Sequence, residues 1–259
     1  MKSSMSRKGG GMSIESIIRN IRRALFACWW PIPALVAIFL LTGMSAGSPA
    51  LAVYGLSFWH YAVYALAFVL RAVPVATFTY DAFWLKGIAL AVAGVVFFPN
   101  DPGAVTLLVI IAGLGLNISA ALRLGSERTY YGFELGSVPP KRITAFPYSL
   151  TAHPMLIGNM IAFGGTLLDS EFRALWWPLA VIHVALNGAT LWMEVHGRKL
   201  PVPLAARWFA GVVGLSVIVL VAAFADQLLA IIAGTVAIIV FAALLFRRYA
   251  GGARSGGNP

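Results

Sequence analysis

Apolar residues run through this chain in long, nearly unbroken blocks separated by short polar connectors. The blocks fall at roughly 24–45, 51–73, 84–99, 103–122, 149–168, 174–196, 206–225 and 227–246. A helix needs about 20 apolar residues to cross the hydrocarbon core of a bilayer. The blocks therefore predict an all-α, polytopic transmembrane bundle of about eight spans. The third is short and ends in the turn cluster Pro99-Asn100-Asp101-Pro102-Gly103, so a re-entrant segment there would reduce the count to seven. Ala50-Leu51-Ala52 resembles a signal-peptide cleavage site, but the apolar stretch before it is too long for such a signal.

Ahead of the first block, Ile14, Ile17, Ile18 and Ile21 fall on one helical face, and Arg19, Arg22 and Arg23 on others. This is either an amphipathic helix at the membrane interface or the basic flank of the first span. Residues 1–12 lack any periodicity. The organisation expected is a basic tail and interfacial helix over 1–23, N-terminal membrane helices over 24–102, a core over 103–200, and a C-terminal hairpin with a basic tail over 201–259.

Composition agrees with the pattern. Of 259 residues, 60% are hydrophobic and 11% charged, against roughly 25% charged in soluble domains. The net charge of +10 does not gather into a dense patch, so anionic lipid headgroups, not nucleic acid, are the expected partner. With the amino terminus inside, an eight-span count places every lysine and arginine except Arg173 on inner segments, Arg71 and Lys86 sharing one inner loop. That bias predicts cytoplasmic termini and a cytoplasmic loop over 123–148. One cysteine, Cys28, rules out an internal disulfide, and four scattered histidines without ligand spacing give no metal site. Oligomeric state leaves no mark on the sequence.

The 123–148 loop mixes aromatics, charges, Gly and Pro, a composition expected of a functional or disordered loop. Upstream, Gly113-Leu114-Gly115 lies within a span, where close glycines serve either helix packing or the approach of a ligand to the backbone. His153 and Pro154 open the fifth span, with the proline in the first turn. Glu194 and His196 close the sixth, where a carboxylate faces either a wet cavity or solvent. His183 and Asn187 share a helical face and are assigned no site.

Three stretches carry a resemblance: Tyr131-Gly132, then Arg142-Ile143-Thr144-Ala145-Phe146-Pro147-Tyr148, then His153-Pro154-Met155-Leu156-Ile157-Gly158. They resemble the integral-membrane phospholipid methyltransferases of the phosphatidylethanolamine N-methyltransferase type, over about residues 103–200. The His-Pro pair is closer to the related isoprenylcysteine carboxyl methyltransferases. The resemblance implies S-adenosylmethionine as methyl donor, bound at the cytoplasmic face. Gly113 and Gly115 match the family's Gly-x-Gly, and Glu194 matches one member of its Glu-Glu pair; the second glutamate is absent. The donor-binding set implied is Gly113, Gly115, Arg142, His153, Pro154 and Glu194. The catalytic set is His153, Glu194 or His196 as base, with Tyr131 positioning donor or headgroup. Arg128, Lys141 and Arg142 would bind a lipid phosphate or anchor the loop. The acceptor implied is phosphatidylethanolamine or its methylated derivatives. A different apolar acceptor (a prenylated carboxylate, a quinone-like ring, a small thiol) is the alternative, and a non-enzymatic membrane protein on the same scaffold is a third.

Overall fold

A computed structural model describes residues 31–255; the interfacial helix expected within 1–23 lies outside them. The described residues form helices α1 (Pro31–Ser45), α2 (Pro49–Ser57), α3 (Trp59–Leu70), α4 (Val75–Phe97), α5 (Ala104–Leu124), α6 (Ser126–Thr129), α7 (Pro154–Gly165), α8 (Ser170–His196), α9 (Val202–Ala223) and α10 (Leu228–Ser255). Short 3₁₀ turns, Phe98–Asn100 and Thr166–Leu168, extend α4 and α7. Six helical segments are long and apolar enough to cross a bilayer, and two apolar helices, Ile32–Ser45 and Pro154–Leu168, are shorter. Large apolar side chains such as Leu108, Leu215, Ile218 and Leu229 face outward, as they do where lipid is the solvent. The protein is an integral, multi-pass membrane protein.

The third apolar block is the main departure from expectation. It is a 23-residue helix, roughly 34 Å long at 1.5 Å per residue, and neither short nor re-entrant. Its first two turns escape a hydropathy reading because Thr77, Thr79 and Asp81 dilute them. Asp81 is tolerated because Arg248 of α10 meets it in a two-pronged pair, Nε to Oδ2 at 2.7 Å and Nη2 to Oδ1 at 2.9 Å. Tyr249 donates a further bond to Oδ2 at 3.3 Å. Both charged side chains are only 4% exposed, so the pair clamps α10 onto α4 inside the bundle. Lys86, expected in an inner loop, lies instead halfway along α4.

The second block is bent. Pro49–Leu70 reads as one span, but the helix breaks at Phe58 (φ −117°, ψ −6°) into α2 and α3. Of the blocks that the described residues cover in full, the fifth is the short one: α7 starts only at Pro154, leaving 149–153 in the preceding loop. Asp169 Oδ1 accepts from the Phe172 amide at 2.7 Å, capping α8 and turning the chain sharply into an α7–α8 hairpin.

Backbone contact joins α5 to α7. A Cβ on Gly113 would sit 2.6 Å from the Gly158 carbonyl oxygen, and one on Gly158 2.5 Å from that of Gly113. Such small residues let membrane helices touch along their backbones. Asn117 locks the contact, donating to the Met155 carbonyl (2.9 Å) and to Asn159 Oδ1 (3.0 Å).

Candidate active site

The long loop is folded, and a strained residue begins its order. Tyr131 has φ +54°, a left-handed conformation uncommon for a side chain of this size. Gly132 follows because a Cβ there would lie 2.6 Å from the Glu127 carbonyl oxygen and 2.9 Å from Ser137 Oγ. Backbone bonds from Gly132 to Glu127 (2.8 Å) and Ser137 to Gly132 (2.7 Å) close the turn. This turns the Tyr131 ring into the bundle, where it stacks on Phe78 (5.4 Å, 10°) and meets the edges of Tyr64 and Phe68.

At the end of that buried ring, the Tyr131 hydroxyl donates to Glu194 Oε1 at 2.7 Å. The other carboxylate oxygen, Oε2, lies 3.1 Å from His153 Nδ1. His153 is the residue before α7, in non-helical backbone geometry, and its side chain makes no cap bond to the helix. Three residues far apart in sequence thus meet on one carboxylate at one end of the bundle. Burial first, and the Glu194 charge second, push the Tyr131 hydroxyl well above the ordinary tyrosine range, so it stays a neutral donor. The same two causes raise Tyr148, whose hydroxyl approaches the Ala120 carbonyl.

This triad lies in a cavity of about 570 Å³. Pro154, Arg142 and Lys141 also line it on the loop side, and both basic side chains are exposed. Towards the bundle centre the lining becomes His60, Tyr61, Lys86, Asn159 and Asn187. Behind that end runs a chain of hydrogen bonds. Asn159 donates to Asn187 Oδ1 (3.1 Å), and Asn187 Nδ2 donates to the Tyr61 hydroxyl (2.7 Å). Tyr61 is then left to donate to His183 Nδ1 at 3.0 Å. His183 and Asn187, which share a face as the spacing requires, are thus the fully buried support of this wall.

The cavity gathers Tyr131, Arg142, His153, Pro154 and Glu194, and leaves out three other residues expected there. Residues two apart on a helix point about 200° apart. With Glu194 facing the cavity, His196 must face away: it is exposed, stacks on Trp192 (5.4 Å, 27°), and lines a neighbouring apolar groove. The same geometry divides the Gly-x-Gly. Gly113 is spent on the α7 contact, and Gly115 faces outward with nothing within 4 Å of its Cβ position. Neither glycine lines the cavity. The residues that sequence reasoning missed are Lys86, His60, Tyr61, Asn159 and Asn187; polar groups set deep within apolar blocks were the available signal.

The loop, the α5 to α8 scaffold and the Glu194 carboxylate all fall within one recognisable segment. Residues 102–196 match the family model of the phospholipid methyltransferases. That segment, a little over a third of the chain, is similar to the phospholipid methyltransferases. No curated protein and no solved structure matches the chain. The matched segment supplies the Tyr131–Glu194–His153 cluster, whereas His60, Tyr61 and Lys86 reach the cavity from helices outside it.

Proposed function

We propose that the protein transfers methyl groups from S-adenosylmethionine to a membrane lipid amine, phosphatidylethanolamine or its partly methylated derivatives, at the cytoplasmic face. The observation that carries this reading is the meeting of His153 and Glu194, from two separate helix ends of the matched segment, in one cavity with Tyr131 and Arg142. The excess of Lys and Arg on one set of connectors supports the orientation, although Lys86 no longer counts among them.

The residues present fit the donor: a carboxylate, a neutral phenol and exposed cationic side chains surround a space of small-molecule size. When bound, S-adenosylmethionine supplies a methyl group carried on a cationic sulfonium. Glu194 provides the negative charge that holds a cationic group, and Tyr131 fixes the carboxylate by donating to Oε1. His153, with Nδ1–H turned to Glu194 Oε2, keeps Nε2 as a proton acceptor. That is the group needed to take a proton from a lipid ammonium before its nitrogen acts as nucleophile. Arg142 and Lys141, at the loop side, suit a lipid phosphate. The cavity walls bring acceptor and donor together, which is the main requirement of a direct displacement.

A second reading keeps the donor and changes the acceptor to another apolar molecule. Lys86 in the deep lining favours it, because a cation there repels an ammonium headgroup that enters fully. Purified protein in nanodiscs, given methyl-labelled S-adenosylmethionine and a total lipid extract, separates the readings. Label in mono-, di- or trimethylated ethanolamine lipids supports the first. Label in a different lipid supports the second, and no donor binding at all sinks both.

A further inference from the structure

The deep end of the cavity is built like a site for an anion. Lys86 is the twelfth of the 23 residues of α4, and His60 the twelfth of the 22 in the Pro49–Leu70 span. Both are therefore near the middle of membrane-length helices, and both line the cavity. A lysine at that depth is costly unless an opposite charge or a polar cavity compensates it.

The chain does not supply that charge among the described residues. Asp81, five residues earlier on α4, is held by Arg248 and Tyr249. Glu194 keeps its charge but is held at the loop end of the cavity by Tyr131 and His153, and no ion pair joins it to Lys86. Glu134 also lines the cavity, but no ion pair joins it to Lys86. His60 is independently incomplete. It is 6% exposed and packs its ring on Tyr61 at 3.9 Å; Nδ1 is sealed away without a partner, and Nε2, also unpaired, is the ring nitrogen left open to the cavity. Buried polar atoms are rarely left unpaired. Lys86 and His60, from different helices, thus line one cavity, and one occupant with an oxygen anion can pair with the ammonium and with the open ring nitrogen of His60.

We propose that Lys86 and His60 form an oxyanion-binding site at the deep end of the cavity, taking a carboxylate of the ligand that occupies it. This rests on the reading of the cavity as a methyl-transfer site. A carboxylate has two possible sources there, the amino-acid portion of the methyl donor or the polar end of a lipid. Lys86 supplies the charge and His60 a hydrogen bond; Tyr61, Asn159 and Asn187, hydrogen-bonded to one another or to α8, keep the wall rigid.

The test compares two pairs of probes on the full-length protein in nanodiscs. S-adenosylhomocysteine carries a carboxylate and 5′-methylthioadenosine does not; oleate carries one and oleyl alcohol does not. In the wild type, the carboxylate-bearing member of one pair is expected to bind about 10–100-fold more tightly, the range for a charged hydrogen bond. Lys86→Met is expected to abolish that preference while leaving the carboxylate-free probe unchanged, and Lys86→Arg to retain most of it. Loss in the nucleoside pair assigns the site to the donor, and loss in the oleyl pair assigns it to a lipid. A preference that survives Lys86→Met in both pairs overturns the proposal, as does equal weakening of both members of a pair. If the wild type binds neither nucleoside, the donor reading of the cavity fails by itself, and the oleyl pair still decides the site.

Discussion

The segment that matches the methyltransferase family and the helices flanking it line the same cavity by different means. Within 102–196, side chains from a loop, a helix start and a helix end converge on the carboxylate of Glu194. Among the described residues, the flanking helices bring no such cluster to the cavity. They bring an aromatic seat for Tyr131 (Phe78, Tyr64 and Phe68), the deep cation Lys86, and a buried charge pair that fastens α10 to α4. On the proposed function the matched segment holds the reacting end, while its neighbours set the position of the loop and the character of the cavity floor. On this view the flanks are where a shared methyl-transfer scaffold adapts to its own acceptor.

The largest effect should come from the matched segment's side of this division. Glu194→Gln removes the charge that Tyr131 and His153 share. Methyl transfer should fall on the order of a hundredfold or more, with the protein still inserted and monodisperse. Activity within a few-fold of wild type would move the central role away from Glu194. On the flanking side, Arg248→Met leaves Asp81 buried without its partner. The expected cost is about 3–5 kcal/mol, read as a lowered Tm in detergent. Arg248→Met combined with Asp81→Asn should recover much of it, since the stranded charge is then gone; no recovery would mean that packing, not charge, carries the contact.

What the sequence disclosed follows the same boundary. That Tyr131, Arg142, His153 and Glu194 belong together was legible because the motifs that carry the resemblance hold them, and the structure brings all four to one cavity. The membrane-spanning, all-helical class was legible because lipid demands long apolar helices. The start of α4 was not: Asp81 looks like a loop residue until Arg248, 167 positions later, neutralises it. Lys86 reads as a connector residue for the same reason, since the apolar run alone starts the helix too late. That His196 and at least one glycine of the Gly-x-Gly lie outside the cavity has a simpler reason. Residues two apart cannot both face one cavity from a regular helix, a constraint already present in their numbers.

The two glycines sharpen the comparison within the matched segment itself. Gly113→Leu forces a side chain to within 2.5 Å of the Ala162 backbone nitrogen, and backbone cannot step aside as a flexible side chain can. A destabilisation of about 1–3 kcal/mol is expected from overpacking, visible as a lowered Tm before any change in donor affinity is considered. Gly115→Leu, facing open space, should leave both Tm and donor affinity near wild type. If Gly115→Leu abolished donor binding at unchanged Tm, the donor would have to reach the outward face of α5, and the cavity would be the wrong site.

The smallest effect tests the far side of α8. His196 sits two residues beyond Glu194, yet its ring lies on Trp192 and its Nδ1 is 3.2 Å from the Trp192 carbonyl, outside the cavity. His196→Ala should change methyl transfer by less than about twofold, because an exposed side chain away from the site contributes little. His153→Ala, in the same assay, removes the imidazole that Glu194 orients and should lower the rate on the order of a hundredfold. The ratio of these two effects reads out which histidine serves the carboxylate. A larger loss for His196 would require the end of α8 to turn by about half a rotation, carrying Glu194 away from Tyr131 and dissolving the cluster on which the catalytic reading stands.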